Sequence, residues 1–169
     1  MKKKLSILLT IALFALLINT ESANAAIMPD VNLSTIINSE IEWLEDGCYI
    51  ETIIEGEPDL TLECSTFATA KYITRTKTSY IKNSSGTVLW YVSIRATFSY
   101  DGTTAKCTSY TPSAAAPAQT WTIKSLSSNK YGSAASAVAT ATHKDPAIGK
   151  SQDITKTLTI KCSPTGVVS

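Results

Sequence analysis

Residues 83–110 read NSSGTVLWYVSIRATFSYDGTTAKCTSY, and the alternation within this stretch decides the fold. Val88, Trp90, Val92, Ile94, Ala96, Phe98 and Tyr100 occupy one face of a period-two pattern, while Leu89, Tyr91, Ser93, Arg95, Thr97 and Ser99 occupy the other. A run of this kind is a β-strand with one face turned to a core. The dipeptide Asp101-Gly102 suits a two-residue type I′ turn. Such a turn pairs Tyr100 with Thr103, Phe98 with Ala105 and Ala96 with Cys107, which places Cys107 inside.

The same alternation extends in both directions. Residues 70–82, AKYITRTKTSYIK, form a strand of high β-propensity, joined to the hairpin by Asn83-Ser84-Ser85-Gly86. A slack, Pro/Ser/Ala-rich connection over 111–118 leads to a strand at 119–126, in which Trp121 and Ile123 share a face. After a loop at 127–132, residues 133–143 place Ala135, Ala137, Ala139 and Ala141 on one side, small enough to lie beneath Trp90 or Trp121. The chain bends at 148–151. The last strand, 153–162, aligns Ile154, Leu158, Ile160 and Cys162, with Lys156 as the exception on that face. About seven or eight strands, evenly spaced turns and no convincing helix predict an all-β, antiparallel β-sandwich over 71–169.

The amino-terminal portion reads differently. Lys2 to Lys4, an apolar run from Leu5 to Ile18, and Ala23-Asn24-Ala25 before Ala26 match a signal peptide over 1–25. The apolar run is short for a membrane span, so a retained anchor is the lesser alternative and no transmembrane segment is expected after cleavage. The expected location is therefore extracellular, by secretion. Residues 26–46 carry scattered apolar side chains (Leu33, Ile36, Ile37, Ile41, Trp43, Leu44) that suit a flexible arm or a short amphipathic helix. Residues 47–70 suggest an acidic hairpin in which CYIETIIE and LTLECS pair around Gly56-Glu57-Pro58-Asp59. That pairing sets Cys48 opposite Cys64, and a bridge there closes a loop of about 16 residues, worth ~3 kcal/mol in loop-entropy terms.

Four cysteines, one histidine and no CxxC motif point to two disulfides rather than a metal site. The order Cys107, Trp121, Cys162 resembles immunoglobulin domains, in which an indole packs on the inter-sheet bridge, although Ile160 stands where the tyrosine of the usual corner would be. Three stretches also resemble a group of small secreted proteins of Gram-positive bacteria that has no established activity. They are YIKNSSGTVLWYVSIRATFSYDGTTAKCTS (80–109), GSAASAVATAT (132–142) and TLTIKCSPTGVVS (157–169). This resemblance implies the sandwich and a Cys107–Cys162 pair; it implies no catalytic residue.

Charge separates along the chain. Residues 27–70 hold ten acidic residues and no Lys or Arg, whereas 71–169 hold twelve Lys and Arg against Asp101, Asp145 and Asp153, a net of +9. The acidic segment either docks on the basic domain or solubilises it. The basic half lacks the aromatic interleaving of a single-strand nucleic-acid binder, so no nucleic-acid partner is expected. His143 lacks a nucleophile motif such as GxSxG, and no phosphate loop or zinc spacing occurs, so neither an enzyme nor a cofactor is expected. The leading expectation is a non-catalytic secreted protein that binds cell-wall polymer, glycan or another protein, with Tyr72, Tyr80, Tyr91 and Tyr110 as a possible contact surface together with Tyr131. A bacteriocin-like cationic antagonist masked by its acidic arm is the alternative, and a hydrolase the least favoured.

Overall fold

Period-two alternation becomes eight antiparallel strands: β1 Thr35–Trp43, β2 Tyr49–Gly56, β3 Lys71–Lys82, β4 Val88–Tyr100, β5 Ala105–Ala115, β6 Trp121–Tyr131, β7 Ala134–Lys144 and β8 Ser151–Lys161. The computed structural model describes residues 34–44, 47–56, 70–145, 147 and 149–169. The signal-peptide segment 1–25, and Cys64 with its expected strand, lie outside the described residues. Strands β1 to β5 form one sheet in sequence order (sheet A), and β6 to β8 form the second (sheet B). Because each sheet keeps sequence order, the Greek-key crossings of immunoglobulin domains do not occur among the described strands.

The inner face of β4 carries the core as its pattern requires. Trp90, Val92, Ile94, Ala96 and Phe98 are each at most 1% exposed, and on the opposite layer Ala135, Ala137, Ala139 and Ala141 of β7 are wholly buried. Large side chains on one sheet meet methyl groups on the other, which lets the layers approach without voids. Trp90 stacks on Trp121 at 6.3 Å between ring centroids, and Trp121 stacks on His143 at 4.8 Å. Lys156 of β8, opposite Ala139, is the inward exception anticipated from the sequence; its amine reaches Glu42 of β1 at 3.5 Å. Lys77 of β3 likewise crosses between the layers and donates to the Thr159 carbonyl at 3.0 Å. Burial lowers its pKa and nearby Glu40 opposes that shift.

Several expectations need correction. The β4–β5 register is displaced by two residues next to the turn, pairing Tyr100 with Ala105 and Phe98 with Cys107, and by three beyond the bulge beside Phe98, where Ala96 pairs with Tyr110. The cause lies in Asp101, whose carboxylate accepts from the amides of Thr103 and Thr104 and the Thr104 hydroxyl. The Gly102 amide meanwhile donates to the Pro164 carbonyl. These bonds hold a four-residue connection instead of a two-residue turn. A displacement of two preserves facing, so Cys107 still points inward. The segment 26–46 is no helix where it is described: β1 is a strand with a bulge at Ile37, which breaks the period of its apolar residues. Residues 49–56 form β2, paired with β1 and β3 on its two edges, while the expected partner strand 60–65 lies outside the described residues. β5 continues through Pro112, tolerated on the sheet edge, where the sequence suggests a slack connection. β6 runs on to Tyr131 through the expected loop.

Cys107 and Cys162 occupy the same core, yet no disulfide joins them in this structure. The Cys107 thiol donates to the Ser109 carbonyl and the Cys162 thiol to the Ser163 carbonyl. Burial pushes both thiol pKa values up. Trp121 pairs with His143, whereas the cysteines meet the far end of β6 and β7, at Gly132 and Ser133. The indole of the Cys-Trp-Cys order therefore does not pack on them.

Two outcomes follow from this packing. Ala137→Leu should lower stability by about 1–3 kcal/mol, through overpacking between the layers. An unchanged urea midpoint would show that the sheets are not closely spaced at β7. The three hydrogen bonds on the Asp101 carboxylate hold its pKa at about 2. Their stabilisation is then present above the ordinary carboxylate range and is lost as pH falls towards 2. An NMR titration with a midpoint near 4 would contradict this geometry.

Candidate functional site

Strand alternation assigns each site residue to a face. On the outer face of sheet A, away from sheet B, the register places Ile41, Glu51, Tyr80, Tyr91 and Ala115 in one row across β1 to β5. The adjacent row holds Trp43, Tyr49 and Lys82. The rings form two pairs: Trp43 and Tyr49 at 5.0 Å between centroids, and Tyr80 and Tyr91 at 5.7 Å. Between them the Lys82 ammonium sits 5.6 Å from the Tyr80 ring and is held by the Glu51 carboxylate. The result is a strip, about 14 Å wide at the usual strand spacing, that alternates ring, cation and ring across four strands.

The electrostatics agree with this arrangement. Lys82 has its pKa raised, first by the hydrogen bond that its ammonium donates to Glu51. Tyr80 has its phenol pushed up, mainly by burial and then by Glu55. Both groups therefore keep their protons at neutral pH. At one end of the strip Trp43 is 69% exposed and Ile41 is 54% exposed. Beyond the rings the same face is rich in hydroxyls. Thr78 bonds Ser93 at 2.8 Å and Thr74 bonds Thr97 at 2.9 Å, side chain to side chain across β3 and β4.

A second feature lies where β2 ends. Ser34, Glu55, Gly56, Thr74, Arg75, Thr76 and Arg95 line a cleft of about 220 Å³. Ser34 donates to Glu55 at 3.0 Å, and Arg75 Nη1 donates to the Thr74 carbonyl at 2.9 Å. A Cβ on Gly56 would stand 2.5 Å from Ile37 Cδ1 and 3.0 Å from the Arg75 guanidinium carbon, so the absent side chain leaves the space they fill. Arg95 lies four residues beyond Tyr91 on the outer side of β4, about 13 Å along the strand.

Of the five tyrosines expected to form a contact surface, only Tyr80 and Tyr91 come together. Tyr72 shares their face but stands at the other end of β3, opposite Ser99. Tyr110 lies opposite Ala96 and packs against the core, because the bulge beside Phe98 changes its facing. Tyr131 ends β6 in the other sheet. Trp43 and Tyr49 take their places. Once the Cys48–Glu55 strand is recognised, the alternation Tyr49, Glu51, Ile53 gives the sequence signal for Tyr49; Trp43 depends on β1, which its irregular spacing conceals. His143 serves as a stacking plate for Trp121. Among the described residues no group of three or more His, Cys, Asp or Glu is placed to hold a metal. No family model, curated protein or solved structure matches the chain.

Proposed function

We propose that the protein is an extracellular, non-catalytic binding module that holds a polysaccharide on the outer face of sheet A. The observation that carries this reading is the strip Trp43, Tyr49, Lys82, Tyr80 and Tyr91. Flat rings offer apolar faces to the C–H faces of sugar rings, and a fixed cation, a carboxylate and the half-buried hydroxyls of Thr74 and Thr97 offer hydrogen-bond partners that a polyol requires. A face of rings alone would suit an apolar partner; this one is amphipathic throughout. The antagonist reading fares worse. The acidic strands β1 and β2 are integral to sheet A, and Glu42 and Glu51 pair with Lys156 and Lys82. Unmasking a cationic domain would require dismantling the sheet.

Export by the amino-terminal signal, membership of the Gram-positive secreted group and a Cys107–Cys162 cross-link belong to the same proposal. The cross-link is supported by position. The Cys107 amide donates to the Gly132 carbonyl and the Cys162 amide to the Ser133 carbonyl, each at 2.9 Å, so both cysteines approach one turn from the two layers with their side chains in the core. In an oxidising compartment, two thiols lose two protons and two electrons to a disulfide donor such as an oxidoreductase.

Tyr91→Ala and Trp43→Ala should each weaken retention on immobilised cell-wall polysaccharide by about tenfold or more, the ~1.4 kcal/mol or more expected when a central ring is removed. Tyr131→Ala, on the other sheet, should leave it unchanged. Equal retention of all three variants would remove the basis for the site. Alkylation and mass spectrometry of the secreted protein without reductant should leave Cys107 and Cys162 unlabelled after unfolding; labelling of both would exclude the cross-link.

A further inference from the structure

Strand β1 ends sheet A with an edge that no strand among the described residues pairs. Free amides and carbonyls on such an edge invite another strand, and edges are commonly blunted by lysine or proline. The sequence of β1, TIINSEIEW, contains neither. Ile36, Ile37, Ile41 and Trp43 are each more than half exposed, so this one strand carries half of the large apolar side chains that stand exposed among the described residues. Apolar side chains gathered on an unpaired edge mark a place where a strand is added. The carboxylates of β1 are answered from within its own molecule: Lys156 reaches Glu42 at 3.5 Å, and Glu40 acts on Lys77. The edge therefore offers little net charge by which a basic foreign strand would be selected.

The pattern of β1 fits itself. Its register with β2 puts Ile36, Ser39, Ile41 and Trp43 on the outer face and Thr35, Asn38, Glu40 and Glu42 on the inner one, with Ile37 as the bulged extra residue. Consider a second copy laid antiparallel along this edge about a two-fold axis at Ser39, with Ile37 bulged as it is against β2. Asn38 then stands opposite Glu40 of the copy, Ile36 opposite Ile41 and Thr35 opposite Glu42, each twice by symmetry. Amide meets carboxylate, isoleucine meets isoleucine and hydroxyl meets carboxylate. An axis at Glu40 or at Ile41 sets carboxylates directly opposite one another, which cross-strand pairing penalises. The connection over 57–70 does not compete for the far end of the edge. Fully extended it spans about 54 Å, against about 70 Å for the path from Gly56 around β1 at Trp43 and back to Lys71.

We infer that β1 is a homodimer seam, which joins two copies of sheet A edge to edge about a two-fold axis at Ser39. The axis is normal to the sheet, so both aromatic strips fall on one face, and a polymer crossing the seam meets two of them. The seam itself does not depend on what the strips bind.

Sedimentation equilibrium of the secreted protein tests this. A seam of nine residues lies at the small end of specific interfaces, so a particle of twice the chain mass is expected at concentrations on the order of 100 µM. Ile41→Lys should raise the dissociation constant at least about tenfold, since lysine blunts an edge, while an unchanged urea midpoint shows that the fold survives. Val167→Lys, at an exposed apolar side chain outside β1, should leave association unchanged. Asn38→Asp sets a second carboxylate opposite Glu40 of the copy and should weaken the dimer, and adding Glu40→Gln should restore it. A monomer at that concentration overturns the seam. Backbone amides of β1 protected from hydrogen exchange in that monomer would assign the edge to residues 26–33 of the same chain, and unprotected ones would leave it to a foreign strand. A dimer indifferent to Ile41→Lys also overturns the seam, and a double variant that stays weak overturns the axis at Ser39.

Discussion

The methyl groups of β7 set the distance at which the second layer lies on the first. Ala135, Ala137, Ala139 and Ala141 are wholly buried opposite a strand that carries Trp90 and Phe98, and only side chains this small leave room for an indole between sheets of ordinary spacing. The Trp90 Nε1 lies buried without a hydrogen-bond partner among the described residues, a cost of the order of 1–3 kcal/mol that the surrounding packing offsets. The rest of the architecture follows from seating that side chain. Trp121 and His143 stack outward from it, and the cysteines close the opposite end.

A five-stranded sheet over a three-stranded one leaves a remainder. Sheet B packs on β3, β4 and β5, and its backbone stays clear of β1 and β2. Lys156 and Lys77 fill the margin on the inner side, one reaching Glu42 and the other crossing to Thr159. The charge asymmetry of the chain thus becomes local: acidic strands sit beside basic ones in a single sheet. The outer face is set by the same pleat, since each inward core residue of β3 and β4 obliges its neighbour to point out. Tyr80 and Tyr91 flank Ile81, Trp90 and Val92, so the aromatic strip is the reverse side of the core.

Much of this was legible in the sequence because period-two alternation needs no knowledge of partners. The hairpin, the alanine stripe, the inward Cys107 and the odd Lys156 all emerge from facing alone. Register did not, since it depends on which atoms capture the turn. Asp101 accepting three hydrogen bonds is a local choice that a dipeptide preference for a type I′ turn does not reveal. Bulges hid the remainder. The extra residue at Ile37 scrambles the spacing of β1 into something helix-like, and the bulge beside Phe98 turns Tyr110 inward. Half the candidate site was therefore visible, as Tyr80 and Tyr91, while Trp43 waited on a strand whose pattern was broken. The cleft at the end of β2 draws on Ser34, β2, β3 and β4 and has no signature along the chain.

Strand β1 carries one of the four rings of the aromatic strip, Trp43, yet is exposed along its whole length, hydrogen-bonded on one edge to β2 and, among the described residues, not covered by the backbone of a second layer. Regions with few buried apolar contacts open at free energies far below that of global unfolding. The strip can therefore come apart by peeling one strand while the core remains intact. A ligand spanning Trp43 and Tyr91 would act as a staple across that seam, so its affinity would include the free energy of keeping the strand in place.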